Sequence, residues 1–266
     1  ALGIDQVEAV VGHDFGSPVA AWCALTRPDV FCRVVLMSAP FGGPPAFTPT
    51  ATASINAIDP DALLALERPR KHYQWYYSTE PANQDMMQCA QGLHDFLRAY
   101  YHYKSADWAG NKPVELAGWQ ASELARMPTY YIMDAADDMA AAVAPFMPSD
   151  DQVANCHWLP DDELAVYVTE YRRTGFQGGL QWYRCGTGKE QARELLLYAG
   201  RTIDVPACFI GGASDWGVFQ KPGEFAKMKY AACTPMTDCH LVDGAGHWVQ
   251  QEQPAVVAEH LLDFLA

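Results

Sequence analysis

With 266 residues, half of them apolar and 19% charged, the chain has material for one large domain or a core plus an insert, which excludes a solvated, disordered polymer. Lys and Arg number 18 against 32 Asp and Glu, a formal charge of −14, so the basic footprint for phosphate backbones or anionic lipid is missing and nucleic acid is not an expected partner. No apolar run approaches bilayer-spanning length and Asp5 and Glu8 stand where a leader would be basic, which predicts a soluble, cytoplasmic protein with no membrane span.

Residues 7–11 (VEAVV) form a short apolar run suited to a parallel strand covered on both faces. Residues 18–25 (PVAAWCAL) predict a small-residue helix stopped near Arg27 and Pro28, and 34–37 (VVLM) a second buried strand, closed by the Pro/Gly-rich stretch 39–45. From about 44 to 199 the composition turns to aromatic-rich helical stretches without a convincing strand. Residues 87–101 and 162–171 there carry apolar residues at helical spacing, Leu164, Val168 and Tyr171 sharing a face. Residues 207–211 (ACFIG) and 240–242 read as strands, and a last helix begins at Pro254 with Val257, Leu261, Phe264 and Leu265 on one side. Strands alternating with helices predict a parallel α/β sheet, with 1–43 and 200–266 as its core and 44–199 inserted as a helical lid.

The most specific local feature is Gly12-His13-Asp14-Phe15-Gly16, between the first strand and the small-residue helix. This is the spacing of a nucleophile elbow, in which flanking glycines let backbones pass closely and the central side chain, here Asp14, is thrust over the sheet edge. The bland alternative is that Asp14 caps the following helix. An aspartate nucleophile makes an alkyl ester, and cleaving that ester requires activated water, a base and a group orienting the base. His247, in Gly244-Ala245-Gly246-His247-Trp248, follows the last strand, and Asp215, in Gly211-Gly212-Ala213-Ser214-Asp215-Trp216, follows 207–211. Asp238 and Asp243 compete as the acid, Asp238 preceding its strand and Asp243 sitting at the turn into the histidine loop. The order nucleophile, acid, histidine is that of α/β-hydrolases.

Other patterns carry less. The eight cysteines lack any C-x-x-C pair and read as reduced thiols. Residues 185–189 (CGTGK) suggest a phosphate loop, but Tyr183 stands where its first glycine belongs, so a helix entry is expected. The doublets Asp137-Asp138, Asp150-Asp151 and Asp161-Asp162 lack histidines at ligand spacing and read as caps and solvated loops; no metal and no cofactor is indicated.

Together, GHDFG, GASDW and GAGHW resemble the aspartate-nucleophile branch of the α/β-hydrolase fold, most closely the soluble epoxide hydrolases. Residues 72–76 (HYQWY) and 174–184 (TGFQGGLQWYR) resemble the family's two lid segments that carry epoxide-activating tyrosines. The resemblance implies Tyr73 and Tyr183 as the acid pair, with Gln74, Trp248 and the Phe15 N–H as substrate-binding or oxyanion positions. It also implies a small hydrophobic epoxide and water as reactants. Two phenols aimed at the oxygen would stabilise the alkoxide as it develops. A haloalkane or haloacetate dehalogenase is the rival on the same scaffold, but it would place Trp or Arg at position 15, where Phe15 has no side-chain donor; a non-catalytic ligand-binding relic is the other alternative. About ten residues precede the elbow, so the family's first four strands and their His-Gly loop have no counterpart. The expectation is a core truncated at its N-terminus, with the first strand as an apolar edge through which copies self-associate.

Overall fold

The computed structural model describes residues 3–46, 58–188 and 192–266. The chain divides into two compact units, one formed by 1–53, 112–117 and 193–266 and the other by 54–111 and 118–192. Six strands occur among the described residues: β1 (Val10–His13), β2 (Val34–Met37), β3 (Arg70–His72), β4 (Ile132–Asp134), β5 (Ala207–Gly212) and β6 (Met236–Val242).

The first unit is built on a parallel four-stranded sheet in the order β1-β2-β5-β6. All residues of β2 and β5 are buried, as their unbroken apolar runs require of strands covered on both faces. Side chains alternate between two cores. Val34, Leu36 and Phe209 join Ala20, Ala21, Ala24 and Leu25 of helix Gly16–Thr26 on one face. Val35, Met37 and Ile210 meet Val257 and Phe264 of helix Pro254–Leu265 on the other. Three alanines on the inner side of the first helix let it lie close against β1 and β2, and Pro254 opens the last helix at its first turn, where no amide hydrogen is needed.

Two expectations for this unit change, and a third, the first strand at the sheet edge, is met. The first strand is displaced from 7–11 to Val10–His13, because its partner β2 begins only at Val34; Val7 makes an isolated bridge to Phe31. β6 starts at Met236, so Asp238 lies within the strand rather than before it. β1 borders the sheet, pairing with β2 alone among the described residues, and Val11 is 48% exposed there.

The second unit is mainly helical but contains a strand pair the sequence did not suggest, β3 antiparallel to β4. Arg70, at the start of β3, donates to the Ile132 carbonyl at 2.5 Å and lies 3.3 Å from Asp134, so charged residues hold a ladder too short and polar to show an apolar pattern. The helical run over 87–101 is two helices, Ala82–Met87 and Gly92–Lys104, separated by residues 88–91, with Gly92 opening the second at φ 77. The 162–171 pattern lies within helix Asp161–Thr174, with Leu164 and Val168 buried. Residues 185–187 close helix Gln177–Thr187, so the CGTGK stretch begins at a helix exit instead of an entry; Lys189 falls outside the described residues. Asp138 caps its helix by accepting from Ala141 N, and Asp161 and Asp162 sit in a first turn. All eight cysteines are free thiols. Among the described residues, no helix is long and apolar enough to cross a membrane, and no group of three or more His, Cys, Asp or Glu could hold a metal ion.

Candidate active site

In the first unit the strand ends at His13 and the helix begins at Gly16, leaving Asp14 and Phe15 to reverse the chain. Asp14 has φ 53, a left-handed conformation that costs a non-glycine residue roughly 1–2 kcal/mol. It is held there by its N–H to the Met37 carbonyl, at 3.2 Å, and by its own carbonyl accepting from Ser17 N at 3.0 Å. The turn needs Gly12, whose substituted Cβ would strike the Gly16 carbonyl. It does not need Gly16 for space, since a Cβ there would meet nothing within 4 Å. The expectation of glycine on both sides therefore holds at one position.

His247 lies in the loop after β6 and Asp215 in the loop after β5, both 2% exposed. Nε2 of His247 is 2.9 Å from Oδ2 of Asp14, and Nδ1 lies 3.2 and 3.3 Å from the two oxygens of Asp215. An ionised carboxylate only accepts, so Nδ1 carries a hydrogen and Nε2 is the nitrogen turned to Asp14. Burial alone would raise the Asp215 pKa; the charge of His247 and hydrogen bonds from His247, Ser38 and Gly217 N outweigh it and hold the group below its ordinary value. Asp243 is exposed and Asp238 is committed to β6, so the carboxylate facing the imidazole is Asp215. The Asp14 side chain is 33% exposed, which leaves a carboxylate reachable from outside beside a buried imidazole. Gly212 makes the loops' approach possible, because a Cβ there would collide with the carbonyls of Ala245 and Gly246.

Three further residues hold this arrangement, and sequence reasoning did not select them. Ser38, directly after β2, donates to Asp215 Oδ2 at 2.5 Å and lies 2.9 Å from His247 Nδ1. His13 Nε2 donates to the His247 carbonyl at 2.7 Å. Burial, and then the neighbouring His247, lower the His13 pKa, so its ring is held neutral. Glu252 accepts from the amides on either side of His247, Gly246 N at 2.9 Å and Trp248 N at 3.0 Å. Only Glu252 left a readable sign, a carboxylate five residues beyond the histidine and at the end of the short helix Val249–Glu252. The Trp248 ring packs 4.6 Å from that of His247, and Phe15 occupies the position before the first helical residue.

The second unit brings Tyr73 and Tyr183 together, their ring centroids 5.8 Å apart and nearly edge-on at 74°. Tyr73 opens helix Tyr73–Ser78, its N–H bonded to the Tyr131 carbonyl at 2.9 Å, as a continuation of the β3-β4 ladder. The Tyr77 ring packs against both, 5.8 Å from that of Tyr73 and 4.9 Å from that of Tyr183, so the three rings form a triangle. Gln74 Nε2 donates to the Tyr73 hydroxyl oxygen at 3.2 Å. A phenol whose oxygen accepts from an amide keeps its own proton for donation.

The alpha/beta hydrolase fold family profile matches residues 1–254. Among curated proteins, the chain is 42% identical over 110 residues to epoxide hydrolase A of Mycobacterium tuberculosis, covering 41% of this chain and 32% of that protein. It is 27% identical over 263 residues to epoxide hydrolase B of the same organism, covering 96% of this chain and 71% of the relative. The solved epoxide hydrolase from an endophytic Streptomyces matches with a TM-score of 0.73 at 27% identity, over 100% of this chain and 69% of that one. The alignments thus take in between 32% and 71% of the lengths of these three relatives.

Proposed function

The chain belongs to the alpha/beta hydrolase fold family, and on that premise we propose that it hydrolyses an epoxide to a vicinal diol through an ester on Asp14. The observation that carries this reading is the strained, partly exposed carboxylate of Asp14 placed 2.9 Å from a buried imidazole that is itself backed by Asp215. The names of the relatives supply the substrate class.

An Asp14 oxygen attacks one epoxide carbon, the carbon–oxygen bond of the ring breaks, and the alkoxide takes a proton from Tyr73 or Tyr183. A short contact between Asp14 and His247 Nε2 requires one shared proton, since an ionised carboxylate and a bare ring nitrogen both only accept. Esterification removes the negative partner of Nε2 and so favours the neutral ring, whose released proton returns through solvent to the tyrosinate left by the alkoxide's protonation. His247 then accepts a proton from water, whose oxygen attacks the ester carbonyl. The tetrahedral intermediate collapses, the diol oxygen takes the proton back, and Asp14 is regenerated carrying one oxygen from water, its acid proton again shared with Nε2. The Phe15 N–H, at the start of the helix, is assigned to the oxyanion, and Trp248 to the wall beside His247.

Turnover of an epoxide such as styrene oxide in oxygen-labelled water, followed by peptide mass analysis, tests this. Label is expected in the peptide holding Asp14, and Asp14→Asn is expected to lose roughly 10³-fold or more of the rate. Wild-type turnover by Asp14→Asn would overturn the reading. Binding of epoxide or diol with no ester formed would identify a ligand-binding relic instead.

A further inference from the structure

Among the described residues, only two that are not glycine have positive φ, Asp14 at 53° and Ser38 at 67°. They follow neighbouring parallel strands, whose last paired residues are His13 and Met37. A left-handed serine is a costly choice where glycine would be free of strain, and strain of this kind persists where the surroundings over-determine it. Ser38 is fully buried, and its N–H is tied to the Ile210 carbonyl at 3.0 Å.

The hydrogen bonds show what the hydroxyl does. Ser38 has one proton, and Asp215 Oδ2 takes it at 2.5 Å. Ser38 Oγ also lies 2.9 Å from Nδ1 of His247, closer than the two Asp215 oxygens at 3.2 and 3.3 Å. The other Asp215 oxygen accepts from Gly217 N at 2.7 Å. Even the neighbouring glycine respects this packing, because a Cβ at 217 would come within 2.8 Å of Asp215 Oδ1 and 2.9 Å of Ser38 Oγ.

We infer that Ser38 is a positioning residue, accepting the Nδ1–H of His247 while donating to Asp215, so that the imidazole is held in one tautomer with Nε2 toward Asp14. Resting on the ester mechanism above, this assigns Ser38 to the second half of the reaction. Attack by Asp14 asks nothing of Nδ1. Ester hydrolysis makes the ring cationic, and the bond from Nδ1–H then strengthens without the proton leaving the ring.

Two substitutions separate this role from packing. Ser38→Gly removes the hydroxyl and relieves the positive φ, so it folds. Ser38→Asn tolerates the left-handed backbone and keeps a donor and an acceptor. In the resting protein with nitrogen-labelled histidine, NMR is expected to show Nδ1–H exchange about tenfold or more faster in Ser38→Gly. With styrene oxide and rapid quenching, the Asp14 ester should form within about threefold of the wild-type rate but hydrolyse roughly 10–100-fold more slowly, and Ser38→Asn should restore both measurements. Unchanged exchange together with unchanged ester hydrolysis in Ser38→Gly would overturn the inference. So would equal slowing of both half-reactions with a lowered Tm, the mark of mere packing. If the wild-type protein formed no ester, the proposed reaction would fail, and the exchange rates would still decide the role of Ser38: faster supports it, unchanged overturns it.

Discussion

Alanine at position 12 and alanine at position 16 are expected to have opposite consequences, although both replace a glycine of the same five-residue turn. At position 12 the new Cβ strikes the Gly16 carbonyl and stands 2.9 Å from Ser17 N. These are backbone atoms, so no rotamer change relieves the contact, and the turn must open by about 1 Å to regain ordinary separations. Asp14 sits inside that turn, 2.9 Å from His247 Nε2; a displacement of about 1 Å takes the pair out of hydrogen-bond range and is expected to cost on the order of 10²-fold in rate. Stability should fall by about 1–3 kcal/mol, which lowers Tm by roughly 2–4 °C per kcal/mol in a chain of this size. At position 16 a Cβ meets nothing within 4 Å, and alanine in the first helical turn should hold or raise stability, by up to about 1 kcal/mol. Thermal unfolding and label incorporation into Asp14 measure both effects. The reasoning fails if Gly12→Ala keeps wild-type Tm and activity, or if Gly16→Ala is as damaging as Gly12→Ala.

Burial lowers the pKa values of His13, His102 and His240, so the unfolded chain binds more protons than the fold as pH falls below about 6.5, and stability drops. Asp215 is held below its ordinary value by its partners, so its contribution is complete above the usual carboxylate range and is lost only as pH falls through that lowered value. Tm should therefore decline from about pH 7 to about pH 5 and more steeply below about pH 4; a flat or rising profile contradicts this. Tyr73→Phe and Tyr183→Phe should each slow ester formation, by roughly 10²-fold for one lost donor to a developing oxyanion, and a double variant forming ester at the wild-type rate would remove both from the proposed mechanism. Val11→Lys places a charge on the outer face of the edge strand β1 and should reduce self-association in light scattering; equal scattering by both proteins would show that this edge does not associate.

What the amino-acid sequence determined by itself was whatever lies within a few neighbouring residues. β2 was readable at its full span, because four consecutive apolar residues between a polar lead and a Pro/Gly stretch admit little but a buried strand. The turn around Asp14 was readable because its small-x-acid-x-small spacing sits between a strand and a helix. The β3-β4 pair was not, since three-residue strands that include Arg70, Lys71 and Asp134 show no period. Tertiary structure decided which distant groups meet. Ser38 reaches Asp215 and His247 because parallel pairing sets Met37 beside Ile210 and Gly212 beside Val242, so the loops after β2, β5 and β6 leave the sheet at one edge. Register and loop closure are properties of the assembled sheet, and no short window of residues carries them.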